Sequence, residues 1–235
     1  ADGNATAFDN ADLRLALSRA IDRDAITATI FEGTRIPADS YVAPVVDGYV
    51  EGACGDACVF DEAAAQAALE AAGGYDDTLT LAYNADGDHK AWTEAVCNSI
   101  NSVLGIECVA TPVVDFSTFR QQINAREQTG MFRTGWQFDY PSIENFLAPL
   151  YASTGSANDG DYVNEEFDSL INDAAAAATI EEANELYQQA EQVLVGDLPV
   201  FPLWYSQTVG GWSENVSEAT FNAFSRIDLA SLRLA

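Results

Sequence analysis

The fold is decided by one stretch of sequence, TLTLAY at residues 78–83, and by the elements that follow it. Its β-branched and aromatic residues, in an apolar-polar alternation, predict a strand. A helix is predicted at 88–104, a second strand at 107–114, another helix at 116–126 and a third strand at 130–136. This β-α-β-α-β order favours an α/β layer with partly parallel strands, because helices connect them.

More helices are predicted on both sides of this layer. Capping residues and apolar stripes place them at 12–21, 24–31, 61–72, 143–150, 167–174 and 183–194. The stretch LPVFPLWY at residues 198–205 predicts a buried strand near a sheet edge, because its prolines have no N–H to donate. From residue 210 onwards we find no clear core pattern.

The chain is strongly acidic, with 37 acidic residues against 10 basic ones and a net charge of −27. Such a charge repels phosphate backbones and anionic lipid surfaces, so we expect no nucleic-acid partner. It favours cationic ligands, and it is also typical of a protein that must stay soluble in a salty habitat. With 235 residues and 48% hydrophobic content, the chain is predicted to be globular with a real core.

Four cysteines form two local groups along the chain, Cys54 with Cys58 and Cys97 with Cys108. Three pairings are possible, and we favour these two because each closes a short loop. His89 is the only histidine and completes no recognisable zinc spacing, so we expect no metal and no cofactor. Two disulfides indicate an oxidising, extracytoplasmic compartment.

A base and an acid stand close together in the stretch FRTGWQFDY at residues 132–140. Arg133 and Asp139 are six residues apart, among aromatic residues and just after a predicted strand. A guanidinium suits a carboxylate, and a carboxylate suits an ammonium group. The stretch therefore predicts a pocket that holds both charged ends of a small zwitterion.

Five segments spread over nearly the whole chain resemble the C-terminal half of the family-5 solute-binding proteins, the peptide receptors of bacterial ABC importers. They are DLRLALSRAIDR at 12–23, PADSYVAP at 37–44, YNADGDHK at 83–90, YVNEEFD at 162–168 and LYQQAE at 186–191. The resemblance implies an α/β fold like that of periplasmic binding proteins (class II, cluster C), a C-terminal lobe with a mixed sheet flanked by helices. It also implies that residues 1–209 form this lobe, and that residues 210–235 return to an N-terminal lobe missing from this chain.

The same resemblance assigns ligand-binding roles to six residues. They are Asp139, Arg133, Trp136, His89, Phe138 and Tyr140. Asp139 takes the place of a family aspartate that pairs with the ligand's α-amino group. Arg133 takes that of an arginine that meets ligand carboxylates, and His89 that of a histidine near the same end of the ligand. The aromatic residues would wall the pocket.

These residues also have structural interpretations. Asp139 would otherwise cap the helix near residue 143 or simply be solvated, and Arg133 would otherwise pair with one of the many acids. A lone histidine such as His89 is more often a satisfied structural residue, and Trp136 would otherwise pack in a core.

As a function, the resemblance implies the substrate-binding component of an ABC importer, which captures oligopeptides by their charged termini and backbone in a cleft between two lobes. Its partners would be a peptide and the importer's membrane permease subunits, and the protein would be a monomer without enzymatic activity. It would lie outside the cytoplasm, in the periplasm or as a cell-surface lipoprotein. The alternatives are a receptor of the same fold for nickel, an oligosaccharide, an opine or haem and, less favoured, a structural surface domain or a hydrolase.

Overall fold

The computed structural model describes residues 8–222 and 224–235. The helices are α1 (Ala11–Arg19), α2 (Arg23–Ile30), α3 (Glu62–Ala71), α4 (Lys90–Leu104), α5 (Phe116–Asn124), α6 (Ile143–Tyr151), α7 (Glu165–Ala175) and α8 (Ile180–Asp197). The strands are β1 (Arg35–Pro37), β2 (Leu79–Asn84), β3 (Cys108–Val113), β4 (Met131–Phe132), β5 (Trp204–Ser206), β6 (Val216–Glu218) and β7 (Arg233–Leu234). A 3₁₀ turn spans Gly55–Cys58.

A parallel sheet with the strand order β3-β2-β4 forms the centre of the lobe, with α4 and α5 as the crossovers. Leu79 pairs with Cys108 and Leu81 with Met131, so the predicted α/β layer is confirmed. The pairs β1–β5 and β6–β7 are antiparallel and form separate small sheets. Because the three central strands are parallel, their carboxyl ends meet at one edge, which is where α/β proteins place their ligands.

Strand β3 is the outer edge of this sheet and has no neighbour on its far side within the described residues. The carbonyls of Glu107 and Val113 accept hydrogen bonds from the N–H groups of Leu79 and Ala85, both at 2.8 Å. The backbone N–H and C=O groups of every second residue of β3 therefore point towards β2. Pro112 lies in the other set, whose backbone groups point away from the sheet. Since proline has no N–H, the outer edge lacks a donor at that position.

The third central strand is much shorter than predicted. Instead of residues 130–136, only Met131–Phe132 are in strand β4. The Arg133 N–H still donates to the Ala82 carbonyl at 2.9 Å, and the chain then leaves the sheet towards α6. Hydrogen bonds to Asn145 of α6 hold the segment that follows, so a tertiary contact overrides the local strand preference.

The strand predicted at 198–205 is also shorter and begins only at Trp204. Leu198 ends α8 in the left-handed region, with φ 47°, and the chain then passes through Pro199 and Pro202 in an irregular segment. Because neither proline can donate to a ladder, pairing with β1 starts after the second of them.

Of the four hydrophobic clusters in the described residues, two are large. The first packs β2 against α1 and α4 and includes the fully buried Leu17 and Ile100. The second packs α6, α7 and α8 around Leu147 and Phe167, also fully buried. Each such side chain contributes roughly 1.5–3 kcal/mol. The segment 133–142 runs from the first core to the second.

Both predicted disulfides are present. Cys54 is bonded to Cys58 across the 3₁₀ turn, and Cys97 of α4 is bonded to Cys108 of β3. The second bond ties the crossover helix to the sheet edge.

Arg23, at the start of α2, is a buried cation with 2% of its surface exposed. Its Nε donates to the Pro202 carbonyl at 2.7 Å. Its Nη1 donates to the carbonyls of Ser18 and Ile21 at 2.9 and 3.3 Å, and its Nη2 to the Ser18 hydroxyl at 2.9 Å. Burial lowers the pKa of Arg23 to about 10, so the side chain is charged at neutral pH. It thus joins α1, α2 and the segment before β5.

Glu191 of α8 is the opposite case, a fully buried carboxylate. Its Oε1 accepts hydrogen bonds from the Ser40 hydroxyl at 2.5 Å and from the Tyr41 N–H at 2.8 Å. Its Oε2 is buried without a hydrogen-bond partner in the described chain. Burial raises the pKa of Glu191, opposed by these two hydrogen bonds and reinforced by nearby Asp39.

We expect Glu191→Gln to stabilise the fold at neutral pH, because a buried neutral amide costs less free energy than a buried carboxylate. Glutamine keeps the acceptor for Ser40 and Tyr41 and removes the charge. Because the folded-state pKa is raised, the stability that Glu191 contributes is fully present below the usual value of 4.5 and is lost as the pH rises through the folded value. Urea unfolding across a pH series checks this. The variant's advantage should grow with pH, and Glu185→Gln, an exposed change on the same helix, should show no such trend.

Residues 210–235 carry the β6–β7 pair and many exposed apolar side chains. Leu229 is 77% exposed and Leu234 83% exposed, whereas Phe224 packs on Phe138 with ring centroids 5.4 Å apart. None of the helices in the described ranges combines the length and apolar character that a bilayer span requires.

Candidate functional site

The predicted site residues fall into two groups. One lies at the carboxyl ends of β2 and β4, with Arg133 and His89. The other lies at the start of α6, with Trp136, Phe138 and Asp139 close to Asn145.

Arg133 is half-buried beside the end of β2. Its Nε donates to Oδ1 of Asn84 at 2.8 Å, and its Nη2 donates to the same oxygen. The guanidinium also lies over two rings of α5, at 5.4 Å from the centroid of Phe116 and 5.6 Å from that of Phe119. The side chain is therefore held in one place while its Nη1 has no acceptor in the described residues.

An ion pair was the structural alternative for Arg133, and the described residues contain none within 4.0 Å of it. Four other basic side chains do form such pairs, among them Arg120 with Asp159 at 2.6 Å. Burial, followed by the positive charge of Arg120, lowers the pKa of Arg133, with Asp86 acting against them. Both causes disfavour the cation, so an anion bound here would relieve them.

His89 stands at the N-terminus of α4, in the same turn as Asn84. Its Nδ1 accepts a hydrogen bond from Nε1 of Trp92 at 3.1 Å, so the neutral ring carries its proton on Nε2. Burial and then the charge of Arg133 lower the pKa of His89, which keeps the ring neutral at pH 7. His89 thus has a structural partner and one remaining donor.

Asn145 organises the second group and was not predicted. It is buried on α6, and its Oδ1 accepts hydrogen bonds from Nε1 of Trp136 at 3.1 Å and from the N–H of Asp139 at 2.9 Å. One amide oxygen thereby fixes the backbone on which the acid stands.

The carboxylate of Asp139 is exposed and accepts no hydrogen bond from the described residues, nor does it form an ion pair with them. It does not cap α6, because Ser142 is the N-cap and its hydroxyl oxygen accepts a hydrogen bond from the Glu144 N–H at 3.3 Å. The capping alternative for Asp139 is therefore wrong.

The two flanking aromatics behave differently from each other. Phe138 is buried between Phe146 and Phe224, at centroid distances of 6.0 and 5.4 Å, so it packs and does not line an open surface. Tyr140 is 44% exposed, and its hydroxyl donates to the Glu144 carboxylate. Trp136 is partly buried against the second core.

Arg133 is half-buried and Asp139 is exposed. Two surface clefts of about 470 and 370 Å³ lie elsewhere, one between α6 and α7 and one along α8, and neither is lined by Arg133 or Asp139. Within the described ranges, no group of three or more histidine, cysteine, aspartate or glutamate side chains is arranged to hold a metal ion. The described residues therefore offer a fixed cation at Arg133 and an unpaired anion at Asp139.

Residues 2–158 match the family model described as bacterial extracellular solute-binding proteins, family 5 Middle. The periplasmic oligopeptide-binding protein OppA of Salmonella typhimurium is 32% identical over 207 residues, covering 84% of this chain and 37% of that protein. Heme-binding protein A of Haemophilus influenzae is 28% identical over 217 residues, covering 85% of this chain and 37% of that protein.

The fold is similar to that of the Escherichia coli murein tripeptide binding protein MppA. The TM-score is 0.77 at 26% identity, covering 85% of this chain and 40% of the other. The chain thus spans about 40% of the length of these three proteins.

Proposed function

The chain belongs to the bacterial extracellular solute-binding proteins of family 5, and from that premise we propose that it is the C-terminal lobe of a two-lobed receptor for oligopeptides. In this proposal the receptor works outside the cytoplasm and delivers its ligand to the permease subunits of an ABC importer. Residues 1–209 are the lobe, and residues 210–235 lead back towards an N-terminal lobe. No catalytic step is part of the proposal.

The observation that carries the proposal is that neither Arg133 nor Asp139 forms an ion pair with the described residues. Arg133 has a neutral amide as its hydrogen-bond partner, and the Asp139 carboxylate has no partner in the described chain. Arg23 also lacks an acid, but its Nε, Nη1 and Nη2 all donate to acceptors of the fold, whereas Nη1 of Arg133 has no acceptor in the described residues. A peptide supplies the two complementary charges, an ammonium for Asp139 and a carboxylate for Arg133.

In this proposal the ligand lies on the surface that carries Arg133 and Asp139. A second lobe that closes over it would exclude water, which strengthens each charge-assisted bond. The ligand would favour the closed arrangement because only there does it make contacts with both lobes. Trp136, fixed by Asn145, would form one wall of the cleft, and Tyr140 would stand at its rim.

A receptor for a non-peptide solute is the second candidate, and the heme-binding relative at 28% identity favours it. A ligand that carries carboxylates and no amine would use Arg133 and leave Asp139 without a role. The two candidates therefore differ in whether an amino group is needed.

We expect the full-length receptor to bind trialanine at least about 30-fold more tightly than N-acetyl-trialanine, because acetylation removes the charge that Asp139 would meet. Isothermal titration calorimetry with both peptides checks this. Equal affinities would remove Asp139 from the site. Binding of neither peptide would favour the non-peptide receptor.

A further inference from the structure

Arg133 lies near Asp86 but does not form an ion pair with it. Asp86 is two residues beyond Asn84 in the same turn, and its charge acts on Arg133 through space. Both side-chain hydrogen bonds that Arg133 donates go to Oδ1 of Asn84 instead.

The Asn84 side chain stands between the guanidinium and the carboxylate. Its Oδ1 accepts from Arg133, and its Nδ2 donates to Oδ1 of Asp86 at 2.7 Å. The other Asp86 oxygen accepts from the N–H of Phe116 at 3.2 Å, at the start of α5. The amide orientation is fixed because a guanidinium only donates and a carboxylate only accepts.

Local packing keeps Asn84 in this position. It is 3% exposed at the end of β2, paired with Val113. Gly87 leaves the space that this turn needs, since a Cβ there would lie 3.0 Å from Nδ2 of Asn84 and 2.7 Å from Nε2 of His89. Asn84 and His89 are thus held in one rigid turn beside Arg133.

We propose that Asn84 is a positioning residue that fixes the Arg133 guanidinium while holding Asp86 away from it, so that the cation stays available for a carboxylate-bearing ligand. The inference rests on the proposed function and names the group that this end of the site takes. A neutral acceptor orients a guanidinium without cancelling its charge, whereas a carboxylate in the same place would cancel it.

The test exchanges the two side chains in the full-length receptor. The double variant Asn84→Asp with Asp86→Asn keeps net charge, composition and side-chain size, and it places the carboxylate directly on Arg133. Asparagine at position 86 can still accept from Phe116 and donate to position 84. The control is Asp86→Asn alone, which removes the same carboxylate without supplying one to Arg133.

The probes are trialanine and trialanine amide, which differ only in the carboxyl-terminal charge. The natural protein and the control should prefer trialanine by at least about 30-fold, and the exchanged variant should prefer it by less than about 3-fold. An unchanged preference in the exchanged variant would overturn the role of Asn84. So would equal weakening of both peptides with a lower Tm, which is the result of a purely structural role.

A second measurement needs no ligand. The exchange should raise Tm where Arg133 is present, because a partly buried ion pair forms, and that gain should vanish in an Arg133→Gln background. A change in Tm that is independent of Arg133 would overturn the proposal. If the natural protein binds neither probe, the proposed function fails, and this comparison still decides the role of Asn84.

Discussion

Asp139→Ala is expected to abolish high-affinity binding of trialanine by the full-length receptor. Loss of one partner from a desolvated charge pair costs roughly 2–5 kcal/mol, on the order of 30-fold to several thousand-fold in Kd. The residual binding should no longer distinguish trialanine from N-acetyl-trialanine, because the group that reads the amine is gone. Calorimetric titration of both peptides into both proteins measures the two effects together.

Glu166→Ala is the matched control, because it removes one exposed acid on α7 and leaves the site intact. In a chain of net charge −27, this control separates the local contact from the general field that attracts cations. An Asp139 variant that still prefers the free amine would assign amine recognition to another group. A Glu166 variant that weakens binding equally would assign it to net charge.

Arg23→Ala is expected to destabilise the lobe by roughly 3–5 kcal/mol, as a large buried side chain that satisfies several acceptors is removed. The change leaves the Pro202 carbonyl without its donor, and the carbonyls of Ser18 and Ile21 keep only their backbone donors. Because these carbonyls belong to separate segments, the region before β5 should also detach from α1. Urea unfolding followed by far-UV circular dichroism gives the free energy of unfolding.

Arg23→Lys retains the positive charge but not the planar set of guanidinium donors. We therefore expect a loss in the free energy of unfolding that is smaller than that of the alanine variant. Arg226→Ala removes an exposed arginine and should change the free energy of unfolding by less than about 0.5 kcal/mol. If the alanine and lysine variants at position 23 were both as stable as the natural chain, the hydrogen bonds of Arg23 would contribute nothing to the fold.

The sequence predicts the parallel sheet and its crossover helices well, because the residues that favour each of these elements lie within the element or next to it. The strand predicted at 78–83 is found at Leu79–Asn84, and Asp115 and Thr179 cap α5 and α8 through their own side chains. It predicts the length of β4 poorly because residues 133–136 favour a strand locally and are held instead by a helix that comes later in the chain. The prolines before β5 were recognised as edge signals, but the left-handed Leu198 that removes 198–203 from the strand has no local signal.

The same reasoning applies to the site. Arg133 and Asp139 were identified by their charges and by resemblance, and their role in binding stays a proposal. Asn84 and Asn145 were missed because each acts on a partner distant in sequence, 49 residues away for Arg133 and nine for Trp136. An asparagine at a strand end or in a helix carries no pattern that predicts such a partner. Only the turn sequence YNADGDHK, with a glycine between two polar residues, indicated a tight turn there.

The outward-facing Pro112 on β3 bears on how the protein behaves when it is concentrated. An open parallel sheet presents a row of donors and acceptors on which a second copy of the chain can add a strand, and such pairing begins fibrils. On the outer edge of β3, unpaired N–H groups are available only in the first half of the strand, because Pro112 has no N–H to offer near its end. At the opposite edge β4 has two residues, too few to hold a foreign strand. We therefore expect this lobe to resist edge-to-edge aggregation at high concentration, independently of the repulsion between its negative charges.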